Sequence, residues 1–221
     1  MDEQTTMNFF GSDKEEESPK VGEGHGDVIS FSEIYESYCV GIVDIKDSTR
    51  ITSILSKPKI CQYYTIFLNS MAFIIRKHGG IVVKNIGDSL LYYFPKTFYT
   101  TDRTAFEDSL ECGMSMIDAH SMVNSKMSEE GLPVVNYRIS SDYGLVMTAK
   151  SENSTSKDIF GPTINLCSKI NSLALPNTMV IGGDLYQTVK SLADFRFTSI
   201  SEYNNGLKLH YPVYSISRHK P

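Results

Sequence analysis

The sequence predicts a mixed α/β (α+β) fold with a ferredoxin-like βαββαβ core and a C-terminal extension. Three observations lead there. An apolar run ending in a carboxylate, "YCVGIVDI", precedes a long stretch with apolar residues at helical spacing. Two short apolar segments flank "NIGDS", the pattern of a tight hairpin. A second amphipathic helix and several short strands follow. Strand, helix, hairpin, helix, strand is the order of the split βαβ arrangement.

Residues 1–36 hold ten acids and two lysines, while the rest holds 16 acids and 19 bases, so a −8 head precedes a +3 body. The head contains "SDKEEESPKVGEGHG", polar and without apolar periodicity, and residues 1 to about 30 are expected to form a disordered acidic tail. "YCVGIVDI" reads as a buried strand. "ITSILSKPKICQYYTIFLNSMAFIIRKHGG" reads as helix, broken at Pro58 and stopped by Gly79 and Gly80. In the hairpin, Ile81, Val82, Val83 and Ile86 face Leu90, Leu91 and Tyr92 across Gly87, which takes positive φ cheaply. "TDRTAFEDSLECGMSMIDAHSMVNSKMSEEG" reads as one long helix whose methionines fill a core face. "VNYRISSDYGLVMTAK" is expected to be a hairpin turning near Asp142–Gly144, followed by the polar loop "SENSTSK". "GPTINLCSKINSLAL" is a helix with Pro162 in its first turn. A strand "TMVIGG", a short helix "DLYQTVKSL" and the strands "FRFTSI" and "YPVYSIS" complete the extension.

No apolar run approaches the roughly 18–20 residues that span a bilayer, and no basic-then-apolar leader opens the sequence. Cys39, Cys61, Cys112 and Cys167 form no CxxC pair. They are expected to be reduced core thiols in a cytoplasmic protein, without zinc.

Two residues of the hairpin have no role in making it. Lys84 is a cation in an apolar strand, and Asp88 follows Gly87 where Asn would turn as well. Asp44 ends the first strand, which in a ferredoxin-like sheet lies beside the central hairpin, so the two carboxylates can converge. With the backbone carbonyl of Ile45 they make a hard oxygen site suited to Mg²⁺ or Mn²⁺. Asn165 and Lys169 are four apart on a predicted helix and project from one face. Asp158 precedes that helix in "DIFGPTIN".

Four segments, "VGIVDIKDST", "VVKNIGDSLLYYF", "RISSDYGLV" and "DIFGPTINLCSKINSLALPNTMVI", resemble in order the signature blocks of class III nucleotidyl cyclases, which convert ATP or GTP to the 3′,5′-cyclic nucleotide and pyrophosphate. The resemblance covers residues 36–217, the implied catalytic domain. It implies that Asp44, Ile45 and Asp88 bind two divalent metals per site. It implies that Lys84 and Asp158 select the base, as Lys and Asp do in adenylyl members where guanylyl enzymes carry Glu and a small residue. Lys84 would donate to adenine N1 and Asp158 accept from the N6 amino group. Asn165 matches the transition-state asparagine, and Lys169 stands where the family has arginine. Lys208 resembles a triphosphate-binding lysine. Asp47 and Ser48 replace the family's Gly and Phe after the first strand. The implied partners are ATP and a second copy of the chain, the two copies each supplying half of every site, with no nucleic acid or membrane. The alternative is a weakly active or non-catalytic nucleotide sensor on the same scaffold.

Overall fold

The computed structural model describes residues 29–151, 157–204 and 210–219. The expected tail over residues 1 to about 30 lies almost wholly outside them, as does Lys208. The first strand, β1 (Ile29–Ile45), leads into a short helix α1 (Ser48–Thr52) and the long helix α2 (Lys57–Lys77). Pro58 sits in the first turn of α2, where its missing N–H costs nothing, so it starts the helix. The hairpin is β2 (Ile81–Ile86) and β3 (Ser89–Phe94). Gly87 turns it at φ 62 while Asp88 stays out of the left-handed region, a combination that a two-residue type II′ turn uses.

The expected single helix after the hairpin is two: α3 (Arg103–Asp118) and α4 (His120–Glu129), joined at Ala119. Asp102 caps α3, its carboxylate accepting from the Ala105 N–H at 3.1 Å. The expected turn at Asp142–Gly144 is absent. One continuous strand, β4 (Tyr137–Ser151), runs through it and pairs further on with β5 (Lys157–Phe160). Asp142 and Gly144 look like turn residues but serve packing. Asp142 is buried among hydrogen-bond donors, and a Cβ on Gly144 would meet Thr163 Oγ1 at 2.7 Å. The chain continues through α5 (Pro162–Asn171), β6 (Thr178–Gly182), α6 (Gly183–Val189), β7 (Phe195–Asn204) and β8 (His210–Arg218).

The strands form one sheet in the order β2-β3-β1-β4-β6-β8-β7, with β5 beside β4. Its first four members are the ferredoxin-like core, with β1 antiparallel to both β3 and β4. Alternation along β1 divides the interior. Cys39, Val43 and Ile45 point to the larger core under α2, α3, α4 and α6. Val40 and Ile42 point to a smaller cluster on the opposite face, with Leu91, Val146, Ile159 and Cys167 of α5. Of the four cysteines, Cys39, Cys112 and Cys167 are buried free thiols; Cys61 is exposed on α2, against expectation. Among the described residues no helix is long and apolar enough to cross a membrane.

Candidate functional site

Asp44 follows the alternation onto the α5 face, and strand register chooses its neighbours. It lies opposite Ser89 of β3 and opposite Arg138 of β4. Ser89 Oγ donates to Asp44 Oδ1 at 2.6 Å, and Arg138 Nη2 donates to Asp44 Oδ2 at 2.7 Å. Both partners of this ion pair are about 20% exposed, so it is screened far less than a surface pair. Arg138 Nε is buried and has no hydrogen-bond partner.

Asp88, at the hairpin tip, is half-buried, and its carboxylate makes no hydrogen bond or ion pair among the described residues. Asp44 is therefore a pre-oriented carboxylate and Asp88 an uncommitted one. Among the described residues no group of three or more His, Cys, Asp or Glu is placed to hold a metal. An all-oxygen donor set with few protein ligands still fits a hard divalent cation that keeps water or substrate phosphates in its shell. Ser89 and Arg138 would then orient the ligating carboxylate.

Lys84 and Asp158 meet across β2 and β5, the Lys84 ammonium donating to Asp158 Oδ2. The other carboxylate oxygen, Oδ1, accepts from the Ile159 N–H at 2.8 Å. Lys84 Nζ also lies 5.0 Å from the Phe160 ring centroid, within cation–π range. A cavity of about 590 Å³ opens here, lined by Lys84, Ile86, Leu91, Phe160 and Asn165 among others. It offers an apolar slot with a cation at its edge. Asn165 and Lys169 are both exposed on α5, and neither side chain has a hydrogen-bond or ion-pair partner among the described residues.

The structure thus brings Lys84 and Asn165 to one cavity, with Asp158 tied to it through Lys84, and pairs Asp44 with Arg138 and Ser89; neither Asp44 nor Asp88 lines that cavity. Sequence reasoning missed Arg138, Ser89 and Phe160. The only signal for Arg138 was a charge between the apolar Tyr137 and Ile139. The substitution of Asp47 for glycine is accommodated. Asp47 adopts φ 59, the left-handed conformation that glycine favours, and pairs with Lys46 at 2.6 Å.

A family model described as the adenylate and guanylate cyclase catalytic domain matches residues 31–216, and the chain belongs to that family. The germination-specific adenylate cyclase of Dictyostelium discoideum is 29% identical over 166 residues, 72% of this chain and 18% of that protein. The chain spans between 18% and 31% of the length of the curated relatives it matches. The adenylyl cyclase CyaB from P. aeruginosa has the same fold, with a TM-score of 0.76 at 17% identity over 85% of this chain and 96% of that one. The guanylyl cyclase Cya2 matches equally, with a TM-score of 0.76 at 20% identity over 85% and 95%. The neighbours thus include both adenylyl and guanylyl enzymes.

Proposed function

We propose that this chain is an adenylate cyclase, forming 3′,5′-cyclic AMP and pyrophosphate from ATP at sites shared between two copies in the cytoplasm. The observation that carries the choice of ATP is the Lys84–Asp158 pair at the edge of the apolar cavity. Adenine presents an acceptor, N1, beside a donor, the N6 amino group. An ammonium has three donors and a carboxylate several lone pairs, so the pair can stay joined and still meet both. Guanine in the same pose presents N1–H to the Lys84 ammonium and O6 to the Asp158 carboxylate, so each partner would face its like.

Asp44, Asp88 and the Ile45 carbonyl would hold two Mg²⁺ or Mn²⁺ ions. When bound, such ions neutralise phosphate charge and acidify the ribose 3′-hydroxyl. Arg138 and Ser89 fix the Asp44 carboxylate in one orientation. The 3′-oxygen displaces pyrophosphate from the α-phosphorus, and charge grows on the α-phosphoryl oxygens as it does so. Asn165 donates to that region and Lys169 supplies a cation, with Lys208 on the outer phosphates. Lysine keeps the charge of the family's arginine but not its two-point fork, which lowers the expected rate. The dimer reading is supported by the absence of Asp44 and Asp88 from the lining of the cavity that holds Lys84, and by Asn165 and Lys169, exposed on α5 with no side-chain partner among the described residues.

The test is direct. Purified protein with Mn²⁺ should give cyclic product from ATP in preference to GTP. Lys84→Glu with Asp158→Cys should move that preference toward GTP. Equal or absent turnover of both nucleotides by the wild type would favour the sensor reading. Unchanged ATP preference in the double variant would refute the base assignment.

A further inference from the structure

The helix layer carries a second large concavity, unrelated to the site above. A groove of about 550 Å³ lies between α2 and the α3–α4 junction, on the opposite side of the sheet from α5. Ile66 and Ala119 line it, and Phe73 and Met122, each 65% exposed, stand at its sides. Two large apolar side chains presented together beside a groove differ from scattered surface apolar residues. Lys77 and Lys126 also line the groove. The one acid among its described lining residues, Asp118, is engaged by Arg218 Nη1 at 2.5 Å, so these residues present a net positive rim.

The sequence contains a segment of complementary chemistry. Phe9 and Phe10 are adjacent, follow Met7, and are the only Phe, Tyr or Trp in residues 1–28. After Gly11 and Ser12 comes the run Asp13, Lys14, Glu15, Glu16 and Glu17, four acids and one lysine. The order is apolar anchor, then acid. The reach is sufficient. Eighteen residues separate Phe10 from Ile29, a span of up to about 60 Å when extended. The end of α2 lies near Ile81, which pairs with Tyr93, itself opposite Val40 of β1. Val40 is eleven residues from Ile29, roughly 36 Å along the strand.

We propose that this groove is the seat of the chain's own N-terminal segment around Met7–Glu17, with Phe9 and Phe10 against Phe73 and Met122 and the following acids against Lys77 and Lys126. This is an amphipathic segment laid in an apolar groove with a charged rim, a mode in which apolar contacts anchor and charge sets the register.

The experiment uses the full chain labelled with ¹³C-methyl methionine. Met122→Leu identifies the Met122 resonance. Phe9→Ser with Phe10→Ser should shift that resonance and leave those of the fully buried Met71 and Met116 in place. A peptide of residues 1–19 added to the double-serine chain should return it toward the wild-type position. Lys77→Glu with Lys126→Glu, both exposed, should weaken that peptide by roughly tenfold, as two surface charge pairs would. An identical Met122 resonance in wild-type and double-serine chains overturns the proposal, and leaves the groove to another partner. A shift that appears only as protein concentration rises also overturns it, assigning the groove to a second copy.

Discussion

A carboxyl buried beside the N-terminus of α6 titrates late. Burial pushes Asp142 up to about 6, against the hydrogen bonds it accepts from Tyr211 Oη and from the Tyr143 and Leu185 N–H groups. The folded value is raised, so between about pH 4 and pH 6 the unfolded chain releases a proton that the folded chain keeps. Stability should therefore fall as pH rises through that window, by about 3 kcal/mol, and level off above it. Asp142→Asn has nothing to ionise there. The midpoint difference between variant and wild type in denaturant should grow in the variant's favour from pH 4 to pH 7; a constant difference would refute the account. Lys169 is the other residue with a sharp expectation. A cation at developing charge is worth roughly 3–4 kcal/mol, so Lys169→Ala should lower kcat by about 10²–10³ with little change in ATP affinity. Lys169→Arg should raise kcat by restoring the two-point contact. Steady-state kinetics on the three proteins separate these outcomes, and indifference to both changes would place the transition-state cation elsewhere.

At the scale of elements, β4 and α5 approach so closely that one of them must lack a side chain. Gly144 is where that happens, under the buried Thr163. Gly144→Ala should cost about 1–3 kcal/mol by overpacking. Thr163→Ala removes the Oγ1 in the way, and also the hydrogen bond it donates to the Leu145 carbonyl at 2.9 Å. The double variant should be more stable than the sum of the singles by at least 0.5 kcal/mol on the usual coupling scale, read from chemical denaturation at constant slope. Strict additivity would mean that the contact does not matter. The same strand shows what a sequence conveys and what it hides. The hairpin around Gly87, the stop at Gly79 and the strand that carries Asp44 near its end follow from local chemistry, and all were legible. Asp142 and Gly144 carry the same local signature as a turn, and only the neighbours packed on them, Tyr211 and Thr163, reveal otherwise. Arg138 illustrates the same limit at the site. Its partner Asp44 is 94 positions away, brought alongside by register that no local pattern specifies.

At the scale of the molecule, the proposed function divides each site between two copies, and a homodimer related by a two-fold axis would hold two such sites. Asp88→Ala and Asn165→Ala should each be inactive alone. Mixed and allowed to exchange, half the dimers are hybrids, each with one site bearing both lesions and one bearing neither. About a quarter of all sites should then work. Absence of recovered activity, with exchange shown by mass spectrometry, would place the whole site in one chain. The sheet order has a consequence for how such a site behaves over time. Strand β2, which carries Lys84, is an edge strand among the described residues: β3 is its only ladder partner there, the register slips between Val82 and Lys84, and Ile81 and Ile86 are exposed on it. Edge strands with interrupted ladders open locally at a smaller free energy than the strands between them. The segment proposed to discriminate the base is thus expected to be among the first to breathe, tied to the rest of the sheet chiefly by its ladder to β3 and by the ammonium–carboxylate link to β5. A nucleotide bridging those two strands would quiet that motion, so occupancy would register as slowed amide exchange in β2 while β1 and β4 barely change.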